Sequence, residues 1–272
     1  MAFPPGLHVV QYPFPGDTPL DPDAPLVVLV HGTLDRANSF RRTIMRLPDM
    51  RVVAYDRRGY QSSRSEDAPV DVPGHIDDLL GVVRAAVGDG KPATVVGHSL
   101  GGVVTMGAAL RAPELFASIA AYEPPVPWLP DEEPGDGPPV PSWTPLTDDA
   151  DAMVENFFRR QAGDSTWEGL ADAARADRLA DGPALMTELR SLRGGAMFDV
   201  TQLSVPALFG VGGDRSDARH RAAHDWLLEH VPGAEGLVID AAGHGAHLTH
   251  PDAFALFVRR AVELGAPARG AG

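Results

Sequence analysis

The amino-acid sequence predicts an α/β protein: a doubly wound, mostly parallel sheet with helices on both faces and a helical cap inserted late in the chain. Three observations carry that expectation. Apolar runs of strand length, such as Leu26–Val30 and residues 93–96, alternate with stretches whose apolar residues recur at helical spacing. The first of these runs, LVVLV, lacks polar alternation, as expected of a strand covered on both faces. Between Pro124 and Pro145, nine of twenty-two residues are proline, a composition that continues neither strand nor helix, and helical periodicity resumes beyond it.

The bulk numbers set the frame. A length of 272 residues suits one α/β domain with an insertion. Apolar residues at 44% and charged residues at 22% are ordinary for a chain that buries a core. Lysine and arginine number 23 against 37 acids, a net charge of −14. Such a surface repels nucleic acid and anionic lipid, so the expected ligand is small and neutral or apolar. The absence of cysteine excludes thiolate catalysis, disulfides and zinc-thiolate sites. The opening MAFPPGLHVV has no basic region followed by an apolar run, and no segment approaches the ~20 apolar residues of a membrane span. The expectation is therefore a soluble, cytoplasmic protein without nucleic-acid or membrane partners; no feature specifies an oligomeric state.

In chain order, residues 1–25 hold LHVVQY and a turn-rich PFPGDTPLDPDAP, expected as one or two edge strands. The strand at 26–30 ends in His31-Gly32-Thr33. Phe40, Ile44 and Leu47 place a helix over 35–47, closed by Pro48, and residues 51–55 form the next strand, running into DRRGYQSS at 56–63. Ile76, Leu79, Leu80, Val83 and Val87 mark an amphipathic helix after Pro73. A strand at 93–96, a helix at 101–110 and a strand at 116–122 follow, with Glu123 at the last strand's carboxyl end. Beyond the proline-rich exit, Met153, Val154, Phe157 and Phe158 share one helical face, and further helices are expected at 166–179 and 183–192. Strands at 206–211 and 236–239 flank a helix at 217–231, and Pro251 opens a terminal helix striped by Phe254, Phe257, Val258 and Ala261. The expected division is a core of 1–123 and 199–272, with the proline-rich exit and helical cap at 124–198.

The chemistry centres on ATVVGHSLGG, residues 93–102, where a strand turns sharply into a helix with Ser99 at the apex. Gly97 and Gly101 stand two residues to either side, the G-x-S-x-G nucleophile elbow. Side chains at the flanking glycines would collide with the adjoining strand and helix, and the serine itself is held in a strained conformation. On these residues the chain resembles an α/β-hydrolase-fold serine hydrolase.

That resemblance implies the remaining parts. His31-Gly32-Thr33 resembles the family's HG-x oxyanion turn, so the backbone N–H groups of Thr33 and Leu100 are the expected oxyanion donors. A serine hydroxyl is a poor nucleophile at neutral pH and needs a base within reach. GHGAHLTHP, which contains His244, resembles the family's GH-x-x-H-x-x-x-P segment and makes His244 that base, with His247 at a structural position. DRRGYQSS resembles D-x-R-G-x-G-x-S, with Gln61 in place of the second glycine, and is read as structural.

The acid departs from the commonest pattern. Family members often carry it after the strand at 206–211 as glycine, two residues, aspartate; Gly210 and Gly212 point by that count to Gly213 and Arg215, and Asp214 is out of step. Glu123 lies 24 residues after Ser99. It resembles the acid of a subset that includes some haloalkane dehalogenases and lactone-cleaving serine hydrolases. A buried carboxylate is costly to ionise unless paired, and an imidazole that gains charge in the reaction is such a partner. Glu123 is the preferred acid and Asp214 the alternative.

The implied activity is hydrolysis of a small, mainly apolar carboxylic ester through an acyl-enzyme, with no cofactor. Lactone or carbon–carbon bond hydrolysis with the same triad is the nearest alternative, and a non-catalytic ligand-binding member of the fold is another. The proline-rich exit is the only motif favouring an interaction protein. A serine at the elbow argues against the haloalkane and epoxide chemistry of this fold, which employs an aspartate there. His98, Trp128, Trp143, Phe157, Phe158 and Met197 are candidate pocket residues. A metal is the rival reading for His244, His247 and His250, and for His220 and His224 at i, i+4. No H-E-x-x-H is present and no carboxylate falls at ligand spacing in the sequence, so no metal is expected.

Overall fold

A computed structural model describes residues 2–13, 20–21, 23–65, 70–126, 147–192 and 197–266. Seven strands form one sheet: β1 (Val9–Tyr12), β2 (Leu26–Val30), β3 (Arg51–Tyr55), β4 (Ala93–His98), β5 (Phe116–Tyr122), β6 (Ala207–Gly212) and β7 (Glu235–Ile239). Their spatial order is β1-β3-β2-β4-β5-β6-β7. β1 pairs antiparallel with β3, and every other pair is parallel. All five residues of β2 are buried, with Val28 and Val30 in one apolar layer and Val27 and Leu29 in the other. The unbroken apolar run in the sequence is thus a period-two strand with both faces covered.

The helices supply the covers. α1 (Arg41–Ile44) and the later α9 (Ala246–Thr249) and α10 (Pro251–Gly265) belong to one face. α2 (Val72–Val87), α3 (Leu100–Arg111) and α8 (Ala218–His230) belong to the other. Asp71 caps α2 by accepting a hydrogen bond from the Gly74 N–H at 2.9 Å, and Pro73 sits in its first turn. The helix expected over 35–47 is shorter: a 3-10 turn at Ala37–Phe40 runs into the single turn of α1. The Asp56 carboxylate takes the Ala37 N–H at 2.9 Å, and so fixes the start of that turn from outside.

Strand order reverses between β2 and β4: β3 lies on one side of β2, and the chain then crosses to build β4 to β7 on the other. The carboxyl ends of strands at such a switch point are where open parallel sheets form a crevice. His31-Gly32-Thr33 and Ser99 occupy those two ends.

Between β5 and β6 the described residues form α4 (Ala150–Ala162), α5 (Asp164–Glu168), α6 (Asp172–Leu179) and α7 (Gly182–Leu192). The helix expected over 166–179 is two helices, with Gly169 ending the first. Met153, Val154, Trp167, Leu185 and Leu189 cluster with Leu34 and Tyr60, so the inserted helices share a small core with the turns after β2 and β3. Polar clips add to it. Asp177 of α6 pairs with Arg64 at 2.5 Å and Arg36 at 3.2 Å and accepts from the Gln61 side chain at 2.6 Å.

Asp181, fully buried beside these clips, accepts from the Gln61 N–H at 3.3 Å and lies 3.4 Å from Arg64, while its second oxygen has no partner among the described residues. Burial pushes its pKa up to about 6 from 3.8. A carboxyl raised in the folded state withholds stability as pH climbs: its contribution is favourable below its unfolded value and is lost through pH 6. Asp181→Asn is therefore expected to stabilise the protein by about 1–3 kcal/mol at pH 8, with no gain near pH 4. Urea unfolding at the two pH values measures this, and equal effects at both would contradict it.

Candidate active site

Ser99 sits between β4 and α3 with φ 52° and ψ −125°, a left-handed conformation that a non-glycine residue rarely adopts. The glycines around it are there for space. A Cβ on Gly97 would run into the Gly101 carbonyl, and one on Gly101 into the Val30 carbonyl of β2. The Ser99 N–H is tied to the Tyr122 carbonyl of β5 at 2.9 Å, so the elbow is held on both sides by neighbouring strands. Leu100 opens α3, where the first turn leaves backbone N–H groups without intrahelical acceptors. Gly32 packs against the elbow: a Cβ there would lie 2.9 Å from the Ser99 Cβ. The structure thus brings Ser99, Leu100 and the 31–33 turn to one rim.

Glu123 follows β5, also with positive φ (46°), and is 1% exposed. Its carboxylate is fully engaged. Oε1 accepts from the Gly212 N–H at 2.8 Å and the Ser216 hydroxyl at 2.6 Å. Oε2 receives the His244 Nδ1–H at 2.8 Å and lies 3.2 Å from His220 Nδ1. Burial alone would raise its pKa, but the His244 hydrogen bond, the adjacent His220 and the Ser216 hydroxyl outweigh it and hold the carboxyl at about 2. An ionised carboxylate only accepts, so His244 carries its proton on Nδ1 and presents the Nε2 lone pair. Asp214 is exposed; the residues of its turn that reach the site are Gly212 and Ser216.

The loop carrying His244 is held from beneath. His98 Nε2–H donates to the His244 carbonyl at 2.8 Å, and the Tyr122 hydroxyl donates to the Gly243 carbonyl at 3.0 Å. His98 is buried, its ring centroid 4.7 Å from His244 and 4.3 Å from His247. Burial and the neighbouring imidazoles His247 and His244 push its pKa well down, so it is neutral. His247 donates to Asp35 at 3.1 Å. The Ser99 hydroxyl, half-buried, makes no side-chain hydrogen bond among the described residues. Catalytic hydrogen bonds commonly close only around substrate.

The 31–33 turn has its own support. Arg57, fully buried, donates through Nε to the His31 carbonyl and through Nη2 to the Gly32 carbonyl, each at 2.9 Å, and through Nη1 to Glu188 of α7 at 2.5 Å. Glu188 Oε2 accepts from the Thr33 hydroxyl at 2.8 Å and the Tyr60 hydroxyl at 2.7 Å. His31 takes the Arg57 N–H on Nε2 at 2.8 Å; burial and Arg57 lower its pKa to about 3, which keeps it a neutral acceptor.

Of the candidate pocket residues, Phe157 and Phe158 pack on the Leu34–Tyr60 cluster of the inserted helices. Met197 packs against the layer that holds α2 and α3, and Trp128 and Trp143 lie outside the described residues. Sequence reasoning does not reach Ser216 or Glu188 as site residues, and it names His220 only under the rival metal reading. Glu188 left a readable signal, an acid inside the apolar stripe Ala184, Leu185, Leu189, Leu192. Sequence spacing also misses that Asp35 comes within 4.8 Å of His98 and His247, and Glu123 within the same distance of His220 and His244.

Comparison with known proteins accords with this architecture. A pimeloyl-[acyl-carrier protein] methyl ester esterase of Neisseria meningitidis is 26% identical over 260 residues, 87% of this chain and 93% of that one. Epoxide hydrolase A of Mycobacterium tuberculosis is 38% identical over 114 residues, 40% of this chain but only 34% of that protein's length. Among solved structures, a hydrolase from Pseudomonas aeruginosa superposes with a TM-score of 0.71 at 18% identity, over 93% of each chain. The family model described as "Alpha/beta hydrolase family" matches residues 27–255, and the chain belongs to that family.

Proposed function

We propose that the chain is a serine hydrolase that cleaves a small, mainly apolar carboxylic ester through Ser99, His244 and Glu123. The observation that carries this reading is the Glu123 carboxylate: buried, ionised and donated to by His244 at 2.8 Å, at the rim where the elbow presents Ser99. The similarity to a methyl ester esterase over most of both chains supports the substrate class. The division into a core of 1–123 and 199–272 and a cap of 124–198 belongs to the same proposal.

In this reading Ser99 Oγ attacks the ester carbonyl carbon as its proton passes to His244 Nε2. The new imidazolium is stabilised through Nδ1–H by Glu123. The N–H groups of Leu100 and Thr33 donate hydrogen bonds to the carbonyl oxygen as negative charge develops on it. Collapse of the tetrahedral intermediate expels the alcohol, which takes the proton from His244, and leaves Ser99 acylated. Water, deprotonated by the same imidazole, then attacks the acyl carbon; the second tetrahedral intermediate breaks its bond to Ser99 Oγ, which takes the proton back from His244, and the acid is released. The same steps open a lactone, so the test includes both substrates.

A fluorophosphonate probe is expected to label Ser99 of the wild-type protein and not of His244→Ala, and a size-graded panel of chromogenic esters and lactones is expected to show turnover of the smaller esters. Glu123→Ala should cost about 10³-fold in kcat, and Asp214→Ala almost nothing. An unlabelled wild-type serine, or equal losses in the two acid variants, would overturn the assignment.

A further inference from the structure

Glu123 stands at the end of β5, but one of its two carboxylate oxygens is held by the segment after β5's neighbour, β6. Oε1 accepts from the Gly212 N–H at 2.8 Å and from the Ser216 hydroxyl at 2.6 Å, which leaves Oε2 for the His244 Nδ1–H. The backbone comes this close because Gly212 has no side chain: a Cβ there would lie 3.1 Å from Oε1 and run into the Ala242 carbonyl. Ser216, 4% exposed, is also fixed through its backbone. Its N–H donates to the Gly213 carbonyl at 3.1 Å, and its own carbonyl accepts from Arg221. In the same turn Asp214, the alternative acid, is exposed to solvent. What this turn sends into the site is therefore a hydroxyl and an N–H, both aimed at an acid from the neighbouring strand.

The torsion that rotates a glutamate carboxylate about its last carbon–carbon bond is broad, so a carboxylate held by the imidazole alone is free to pivot. Two donors occupy both lone pairs of Oε1 and fix the plane of the group. They also act on its charge. A donor on Oε1 stabilises the carboxylate by itself, so less of that stabilisation depends on an imidazolium at Oε2.

We propose that Ser216 is a positioning residue: its hydroxyl pins Glu123 Oε1, which aims Oε2 at His244 and limits how strongly the carboxylate favours the protonated ring. The inference rests on the triad proposed above. With the hydroxyl in place the base stays free to accept the Ser99 proton to lower pH than it would beside a carboxylate lacking that donor. Among the described residues, the other titratable and charged groups facing Ser216, Glu123 and His244 are His98 from the end of β4, Tyr122 from β5, and Asp217, Arg219, His220 and Arg221 from α8 and its cap. All of them stay in place in the variants below.

The test compares Ser216→Ala with Ser216→Gly: both lose the hydroxyl, and only the glycine loosens the backbone of the turn. Two readouts are followed against pH: kcat/KM for p-nitrophenyl acetate, and the imidazole titration of His244 by NMR, which needs no turnover. In both variants the acidic limb of the rate profile and the NMR midpoint of His244 are expected to move up by about half a pH unit or more, because the carboxylate then leans harder on the imidazolium. No upward movement in Ser216→Ala, or movement in Ser216→Gly alone, would overturn the role of the hydroxyl. Absence of p-nitrophenyl acetate hydrolysis by the wild type would count against the proposed activity instead, leaving the NMR titration to decide the role of Ser216.

Discussion

Ser99→Ala is expected to leave a folded protein whose hydrolysis of a chromogenic ester falls by about 10⁴-fold or more. In the proposed mechanism the loss is large because the hydroxyl forms the covalent intermediate; without it, His244 and Glu123 would hold a proton relay with nothing to activate. The residual rate comes from the two backbone donors, which act on any oxyanion formed by direct attack of water. Initial rates on the ester that the wild type turns over fastest measure the drop. A variant retaining a tenth of the activity would place the nucleophile elsewhere. The same position supplies a stability readout: with φ at 52°, alanine is as strained as serine, whereas glycine is not. Ser99→Gly should therefore be more stable than Ser99→Ala by about 1 kcal/mol, although both lack the nucleophile.

The second large effect is on stability. Glu188 and Arg57 are both fully buried and paired at 2.5 Å, and His75, also buried, lies 3.0 Å from the same carboxylate oxygen at an angle unsuited to a hydrogen bond. Burial would raise the Glu188 pKa; Arg57 and His75 outweigh it and hold the carboxyl well below the usual range. Glu188→Ala strands the guanidinium, and breaking a buried pair from one side costs about 3–5 kcal/mol. For a chain of this length that is a fall of roughly 10 °C in Tm. Replacing both partners with apolar residues, Arg57→Met with Glu188→Leu, should recover only part of it, because the His31 and Gly32 carbonyls and the Thr33 and Tyr60 hydroxyls then lose their partners. Calorimetry of the single and double variants checks both points. Because the Thr33 hydroxyl also donates to Glu188, the single variant should lose kcat even at temperatures where it remains folded.

What the sequence could reveal of this site follows the range of each interaction. The elbow was legible because its causes are local: Gly97 and Gly101 are each excluded from bearing a side chain by backbone within reach of the turn. Helices α2 and α10 were legible from their apolar stripes and opening prolines. The acid remained divided between Glu123 and Asp214, since both end a strand or turn on the same side of the sheet. Only pairing β5 beside β6 puts the Gly212 N–H against one of them. Helix α1 fell short of its apolar spacing because an aspartate 19 residues further on captures the N–H at its approach. The Glu123–His244 and Arg57–Glu188 pairs join residues more than 120 positions apart, a distance at which residue type carries no directional information.

The Arg57–Glu188 pair also bears on protein engineering. Exchanging the inserted helices for those of another family member would remove α7 and leave a cation sealed beneath the 31–33 turn. A viable chimaera has to transplant an acid at the equivalent of Glu188 or neutralise Arg57 in the recipient. In this chain the inserted helices are part of the foundation of the 31–33 turn, and the two have to be redesigned together.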